Sequence, residues 1–147
     1  AAPNVEAPLA QEGEAAQGDT TTQQKIVEYA KKFLGVRYVY GGSSPKGFDC
    51  SGFVMYVFKN FDIQLVRTSE GQSKHGEKVD KANLAVGDLV FFDTNGGLNR
   101  VEHVGIYIGD GKFIHASSGR HARKVVISDL TEGFYAKTYM WARRYIK

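Results

Sequence analysis

Apolar residues recur at helical spacing from Gln23, where Ile26, Val27, Tyr29, Ala30, Phe33 and Leu34 share one broad face and Gly35 stands where a C-cap belongs. The pattern predicts a first helix there. The next stretch, Tyr38-Val39-Tyr40-Gly41-Gly42-Ser43-Ser44-Pro45-Lys46-Gly47, is turn-rich and reads as a shaped loop. Helical periodicity resumes at Cys50 and runs to about Asn60, with Phe53, Val54, Val57 and Phe58 inward and Asp49 placed to cap the N-terminus. Thr68 to Lys78 is polar and partly helical. Beyond it the pattern becomes that of strands, at Asp88–Phe92, Glu102–Ile108, Lys112–Ser117, Lys124–Ile127 and Thr138–Ile146, with glycine-bearing turns between most of them. Helices first and strands afterwards predict an α+β fold, with N-terminal helices packed on an antiparallel sheet of about five strands.

Composition separates one segment from the rest. Residues 1–22 are rich in Ala, Gln, Glu, Gly and Thr, hold one Val and one Leu, and cannot build a packed face, so a disordered linker or tail is expected. They carry no charged stretch followed by an apolar one, so a targeting segment is expected upstream or already removed. Residues 23–147 fit a single domain large enough to bury a core. No apolar run approaches the ~18 residues of a membrane span. Nineteen basic residues against sixteen acidic give a formal net charge of +3, and the basic ones are scattered apart from pairs such as Lys31-Lys32 and Arg143-Arg144. That distribution leaves no footprint for nucleic acid. A single cysteine excludes an internal disulfide and any Cys-x-x-Cys metal or redox motif.

That cysteine, Cys50, falls where a glycine-rich loop runs into the second predicted helix. A lone cysteine is ordinarily a small buried hydrophobe. A helix N-terminus, however, has unpaired N–H groups and a positive dipole end, which should lower the thiol pKa below its free value of about 8.5. A thiol nucleophile also needs a base, and the base an orienting partner. Of the four histidines, His75 and His121 lie in polar, charged stretches and read as surface residues. His103 and His115 each interrupt a predicted strand. A two-residue Asp110-Gly111 turn pairing Gly109 with Lys112 would set them on opposite faces. A three-residue loop at Gly109-Asp110-Gly111 pairs Ile108 with Lys112 and Gly105 with His115, placing both imidazoles on one face as diagonal neighbours roughly 7–8 Å apart at the backbone. Gly105 then leaves open space beside them, and a helix carrying Cys50 is expected against that face.

The strings Tyr38-Val39-Tyr40-Gly41-Gly42, Phe48-Asp49-Cys50-Ser51-Gly52, Arg67-Thr68-Ser69, Gly87-Asp88-Leu89-Val90-Phe91-Phe92, His103-Val104-Gly105-Ile106-Tyr107 and His115-Ala116, in this order, resemble the NlpC/p-sixty family of bacterial cell-wall cysteine peptidases. The resemblance covers Gln23 to the end, so residues 23–147 would form the peptidase domain. It implies a papain-like core that cleaves peptidoglycan stem peptides, at the bond between γ-D-glutamate and diaminopimelate or lysine. By the same resemblance Cys50 would be nucleophile, His103 general base and His115 its orienter. Tyr38 would lie beside the thiolate. Asp49, Ser51 and Ser69 would contact the stem peptide, and Arg67 would shape the cleft, although Asp49 can equally serve as a cap, Ser51 as a backbone partner and Arg67 as a surface cation. Two departures, Tyr40 where the family often has Trp and Val86 where it often has Pro, read as packing differences. The resemblance implies no metal or organic cofactor and secretion to the wall or periplasm; a monomer with peptidoglycan stem peptides as partner, no nucleic-acid partner and no membrane span is expected. A related Cys-His amidase or acyltransferase, and a catalytically silent wall-binding module, remain as alternatives.

Overall fold

The computed structural model describes residues 21–94, 97, 99–119 and 122–146. Most of the expected tail, and His121, lie outside the described residues. Thr21 and Thr22 do not belong to a tail: Thr21 caps helix α1 (Thr22–Lys31), its hydroxyl accepting the Gln24 N–H while the Gln24 side chain accepts the Thr21 N–H. The helix ends earlier than the periodicity predicts. Lys32, Phe33 and Leu34 donate to Tyr29, Ala30 and Lys31 in tight three-residue turns. That tightening swings Leu34 off the apolar face, where it is 45 % exposed, and leaves Gly35 in the turn beyond the cap.

A two-strand hairpin, β1 (Ser43–Ser44) and β2 (Gly47–Phe48), gives the turn-rich loop its shape. It leads directly into α2 (Cys50–Lys59), whose Phe53, Val54, Val57 and Phe58 are fully buried as the pattern predicts. The remaining elements are α3 (Ser69–Gln72), β3 (Glu77–Val79), a single 3-10 turn at Lys81–Asn83, β4 (Leu89–Phe92), β5 (His103–Gly109), β6 (Lys112–Ala116), β7 (Val125–Asp129), α4 (Phe134–Thr138) and β8 (Tyr139–Arg144). The main sheet is antiparallel throughout, in the order β3-β8-β4-β5-β6-β7. It therefore has six strands. The addition is the short edge strand β3, in which only Val79 is buried, so its sequence carries too little alternation to stand out from the polar segment around it.

Both faces of the sheet are covered. Leu89, Phe91, Val104, Ile106, Ile114 and Ala116 pack with Ile26, Val27 and Ala30 of α1 and with the apolar side of α2. On the other face Val79, Val90, Phe92, Phe113, Leu130 and Ala142 form a second apolar layer, flanked by Tyr107, Tyr135 and Tyr139. Burial on both sides explains why β4 reads as an unbroken apolar run, Leu89-Val90-Phe91-Phe92.

The β5–β6 hairpin reaches its predicted register by a different route. Ile106 pairs with Ile114 and Tyr107 with Phe113, as a three-residue loop would give, yet Gly109 pairs with Lys112. The turn is the two-residue Asp110-Gly111, both at positive φ (54° and 72°), and the extra residue is taken up as a bulge at Ile108. Moving that residue from the loop into the strand leaves the far end of the hairpin unchanged. His103 and His115 consequently share one face.

Candidate active site

Asp49 organises the approach to α2. Its Oδ1 accepts the Gly52 N–H at 2.7 Å, which caps the helix, and its Oδ2 accepts the Gly41 N–H at 3.1 Å, which ties down the preceding loop. Arg67 closes on the same carboxylate with two guanidinium bonds, at 2.8 and 3.2 Å, and donates a third to Ser51 Oγ at 2.8 Å. The Asp49 backbone N–H is held by the Gly42 carbonyl, and α2 lies so close that a Cβ on Gly52 would overlap that carbonyl oxygen. Cap, loop and cation thus fix the first turn of the helix, and with it Cys50.

The sulfur of Cys50 lies 4.0 Å from the Glu102 carbonyl oxygen and receives the Val104 N–H, so it is seated against the two peptide groups that flank His103. This arrangement differs from the sequence expectation. α2 covers the face of the sheet that carries Val104, Ile106 and Ile114, whereas the histidines stand on the other face with Phe92 and Phe113. The thiol meets His103 at the opening residue of β5 rather than through the face of the sheet.

His103 Nε2 and His115 Nδ1 are 2.7 Å apart, and His115 Nε2 is 2.8 Å from Ser128 Oγ. The rings meet edge to face at 4.9 Å between centroids. The open space expected beside Gly105 is filled: Phe113 stacks on His115 at 4.4 Å, and a Cβ on Gly105 would meet the Phe113 ring. Tyr135 of α4 roofs both imidazoles, with its hydroxyl bonded to the Ser117 side chain. Sequence reasoning missed Ser128 and Tyr135. Ser128 could have been found by extending the last-but-one strand one residue, since it faces Phe113 and stands diagonally from His115; nothing in the period marks Tyr135, which arrives on a single helical turn.

Burial governs the titration of these groups. The Cys50 thiol is pushed up to about 11 by burial and then by the Asp49 carboxylate; the N–H groups of Val104, Ser51 and Cys50 pull the other way and lose. The expected lowering by the helix N-terminus is therefore present but outweighed. His103 is depressed to about 4 by burial, and His115 lies well below the ordinary histidine value through burial and then the His103 charge. These shifts set the acid response of the fold. Unfolded histidines take up protons below about 6.5, while folded His103 resists protonation until near pH 4 and His115 is shifted in the same direction, so this contribution to stability is present above 6.5 and falls away on acidification toward 4. Thermal melting followed by circular dichroism should show Tm dropping across that window, and His115→Asn should flatten the drop.

The other expected site residues fall at varying removes. Tyr38 is half-buried beside Cys50 and Asp49; burial, and after it the charges of those two groups, raises its hydroxyl pKa, and Arg123 lies over its ring at 5.7 Å. Ser51 is buried against Arg67, and Ser69 is half-buried at the start of α3, which packs on α2 and β5. His75 is exposed as expected. Tyr40 is no packing residue: it is 92 % exposed, because the Gly41 N–H tether to Asp49 turns the loop outward at that point. Val86 does pack, against the apolar layer under α1 and α2. Among the described residues no group of three or more His, Cys, Asp or Glu could hold a metal ion, and no helix is long and apolar enough to cross a membrane.

A cysteine opening a buried helix and a hydrogen-bonded histidine pair on an antiparallel sheet define an α+β domain of papain-like type. The chain belongs to the NlpC/P60 family, whose model matches residues 35–144. Over 127 residues it is 42 % identical to the γ-D-glutamyl-L-lysine dipeptidyl-peptidase of Bacillus cereus, covering 86 % of this chain and 38 % of that protein. It is also 42 % identical over 123 residues to the murein DD-endopeptidase MepS/murein LD-carboxypeptidase of Escherichia coli K12, covering 83 % of this chain and 62 % of that one. The crystal structure of an NlpC/P60 family protein from Bacillus cereus superposes with a TM-score of 0.80 at 40 % identity, over 88 % of this chain and 42 % of that one. The chain thus spans less than two thirds of the length of each of these relatives.

Proposed function

We propose that this domain is a thiol peptidase of the bacterial cell wall that hydrolyses peptidoglycan stem peptides at the bond following γ-D-glutamate. The observation that carries the reading is the seating of the sulfur against the two peptide groups that flank His103, together with the 2.7 Å bond between His103 Nε2 and His115 Nδ1. Because Nε2 of His103 is engaged by His115, Nδ1 is the nitrogen left to take the thiol proton. Between about pH 4 and about 11 both groups rest neutral, so Cys50 becomes a thiolate as the substrate carbonyl arrives and His103 removes its proton. The first turn of α2 offers backbone N–H groups to the developing oxyanion, with Tyr38 alongside. His103 then protonates the leaving amine, and a water activated by the same imidazole releases the acyl group from Cys50. His115 holds the ring in place throughout.

In this reading Tyr38, Asp49, Ser51, Arg67 and Ser69 form the stem-peptide subsite, with the Asp49 carboxylate shared between that subsite, the helix cap and Arg67. The choice of bond is supported by the name of the Bacillus cereus relative, and the Escherichia coli relative's name points to a different peptide bond in the same polymer. Action on the wall places the protein outside the cytoplasmic membrane. Mass spectrometry of stem peptides containing lysine or diaminopimelate after incubation with the protein tests the assignment. The expected products are a fragment ending in γ-D-glutamate and one beginning with the diamino acid. Cleavage between D-alanines, or release of the intact stem from its sugar, would replace it.

A further inference from the structure

We propose that Ser128 is a positioning residue of this site: its hydroxyl oxygen takes the Nε2 proton of His115 and so fixes the tautomers of both imidazoles. Its effect on rate rests on the thiol-peptidase reading; the tautomers themselves do not. A neutral imidazole carries one N–H and one bare nitrogen. One proton lies between His103 Nε2 and His115 Nδ1 at 2.7 Å, and another between His115 Nε2 and Ser128 Oγ at 2.8 Å. Two arrangements satisfy both contacts. With the protons pointing outward, His103 Nε2–H donates to His115, His115 Nε2–H donates to Ser128, and His103 Nδ1 is bare. With them pointing inward, Ser128 donates to His115, His115 Nδ1–H donates to His103, and the His103 proton sits on Nδ1, where the base is disabled.

The outward arrangement is the one that survives proton transfer. Once His103 holds a proton on each nitrogen, its Nε2–H needs an acceptor, which His115 provides only with its own proton on Nε2 and an oxygen beyond it. Ser128 supplies that oxygen from β7, opposite Phe113 in register, and is itself half-buried, so its own proton can turn to solvent while the oxygen accepts. His115 has no such freedom. It is fully buried, stacked on Phe113 and edged by Tyr135 at 5.1 Å, so its ring cannot swing to another partner. The titratable groups facing it are His103 from β5 and Tyr135 from α4. Remove the hydroxyl and a buried N–H is orphaned; moving the proton to Nδ1 relieves that, at the expense of the base.

The test is ring-nitrogen NMR of protein labelled with 15N-histidine at pH 7, with stem-peptide kinetics alongside. Wild type should show both His103 and His115 as Nε2–H tautomers. Ser128→Ala should move His115 toward Nδ1–H and lower kcat about tenfold with KM unmoved, the scale of one lost buried hydrogen bond. Ser128→Thr, which keeps the oxygen, should restore both. A wild-type His115 protonated on Nδ1, or a Ser128→Ala protein with unchanged tautomers, overturns the proposal. Should wild type cleave no stem peptide, the peptidase reading falls while the nitrogen spectra still decide the role of Ser128.

Discussion

Cys50→Ala should abolish stem-peptide cleavage, a loss of at least about 10⁴-fold, because no other group stands where the acyl bond forms. The fold should survive. The helix cap is made by Asp49 rather than by Cys50, and the Gly52 N–H and Arg67 contacts that hold the first turn do not involve the sulfur. Cys50 is only 9 % exposed, so alanine leaves a void of about one sulfur atom, at a cost on the order of 1 kcal/mol. Far-ultraviolet circular dichroism and the melting temperature check that expectation beside the rate. A folded Cys50→Ala protein with wild-type turnover would remove the thiol from the mechanism.

The second large effect separates the two histidines. On the proposed mechanism His103→Ala removes the base and should cost roughly 10²–10⁴-fold in kcat. His115→Asn should cost much less, since an amide oxygen can accept the His103 Nε2–H from the same side. Alkylation of the free thiol by iodoacetamide gives an independent readout. With the thiol raised to about 11, its reactivity in the free protein should climb through the alkaline range, and at pH 7 it should depend on His103 to remove the proton. If His115→Asn proves as inactive as His103→Ala, and His103→Ala leaves alkylation at pH 7 unchanged, the roles of base and orienter are wrongly assigned. His75→Ala, on an exposed stretch, serves as the unaffected control.

How far these residues were legible in the sequence depended on the range of the interaction that places them. Asp49 as cap, Cys50 as the opening of a helix and the buried set Phe53, Val54, Val57 and Phe58 follow from local rules, and the structure reproduces all of them. The shared face of His103 and His115 was also legible, since strand parity decides it, but the turn was not. Glycines flank Asp110 on both sides, so a two-residue turn with a bulge and a three-residue loop give the same register from the same residues. What the pattern could not carry was anything set by packing between layers. The side of the sheet that α2 covers, the Phe113 ring in the space beside Gly105, the Tyr135 roof and the burial that overrides the helix dipole at Cys50 all arise from contacts distant in sequence. The edge strand β3 escaped for the opposite reason: three residues with one buried side chain hold too little pattern to read.

If the thiol is the nucleophile, Cys50 carries the acyl half of a stem peptide during turnover. Acid-quenching the protein a few milliseconds after mixing with a saturating stem peptide, followed by peptide mapping in the mass spectrometer, observes that species directly. The expected result is an added mass equal to the fragment ending in γ-D-glutamate, located on the segment containing Cys50 and absent from the Cys50→Ala protein. Product accumulating at the wild-type rate with no adduct on that segment, in wild type and Cys50→Ala alike, would contradict it.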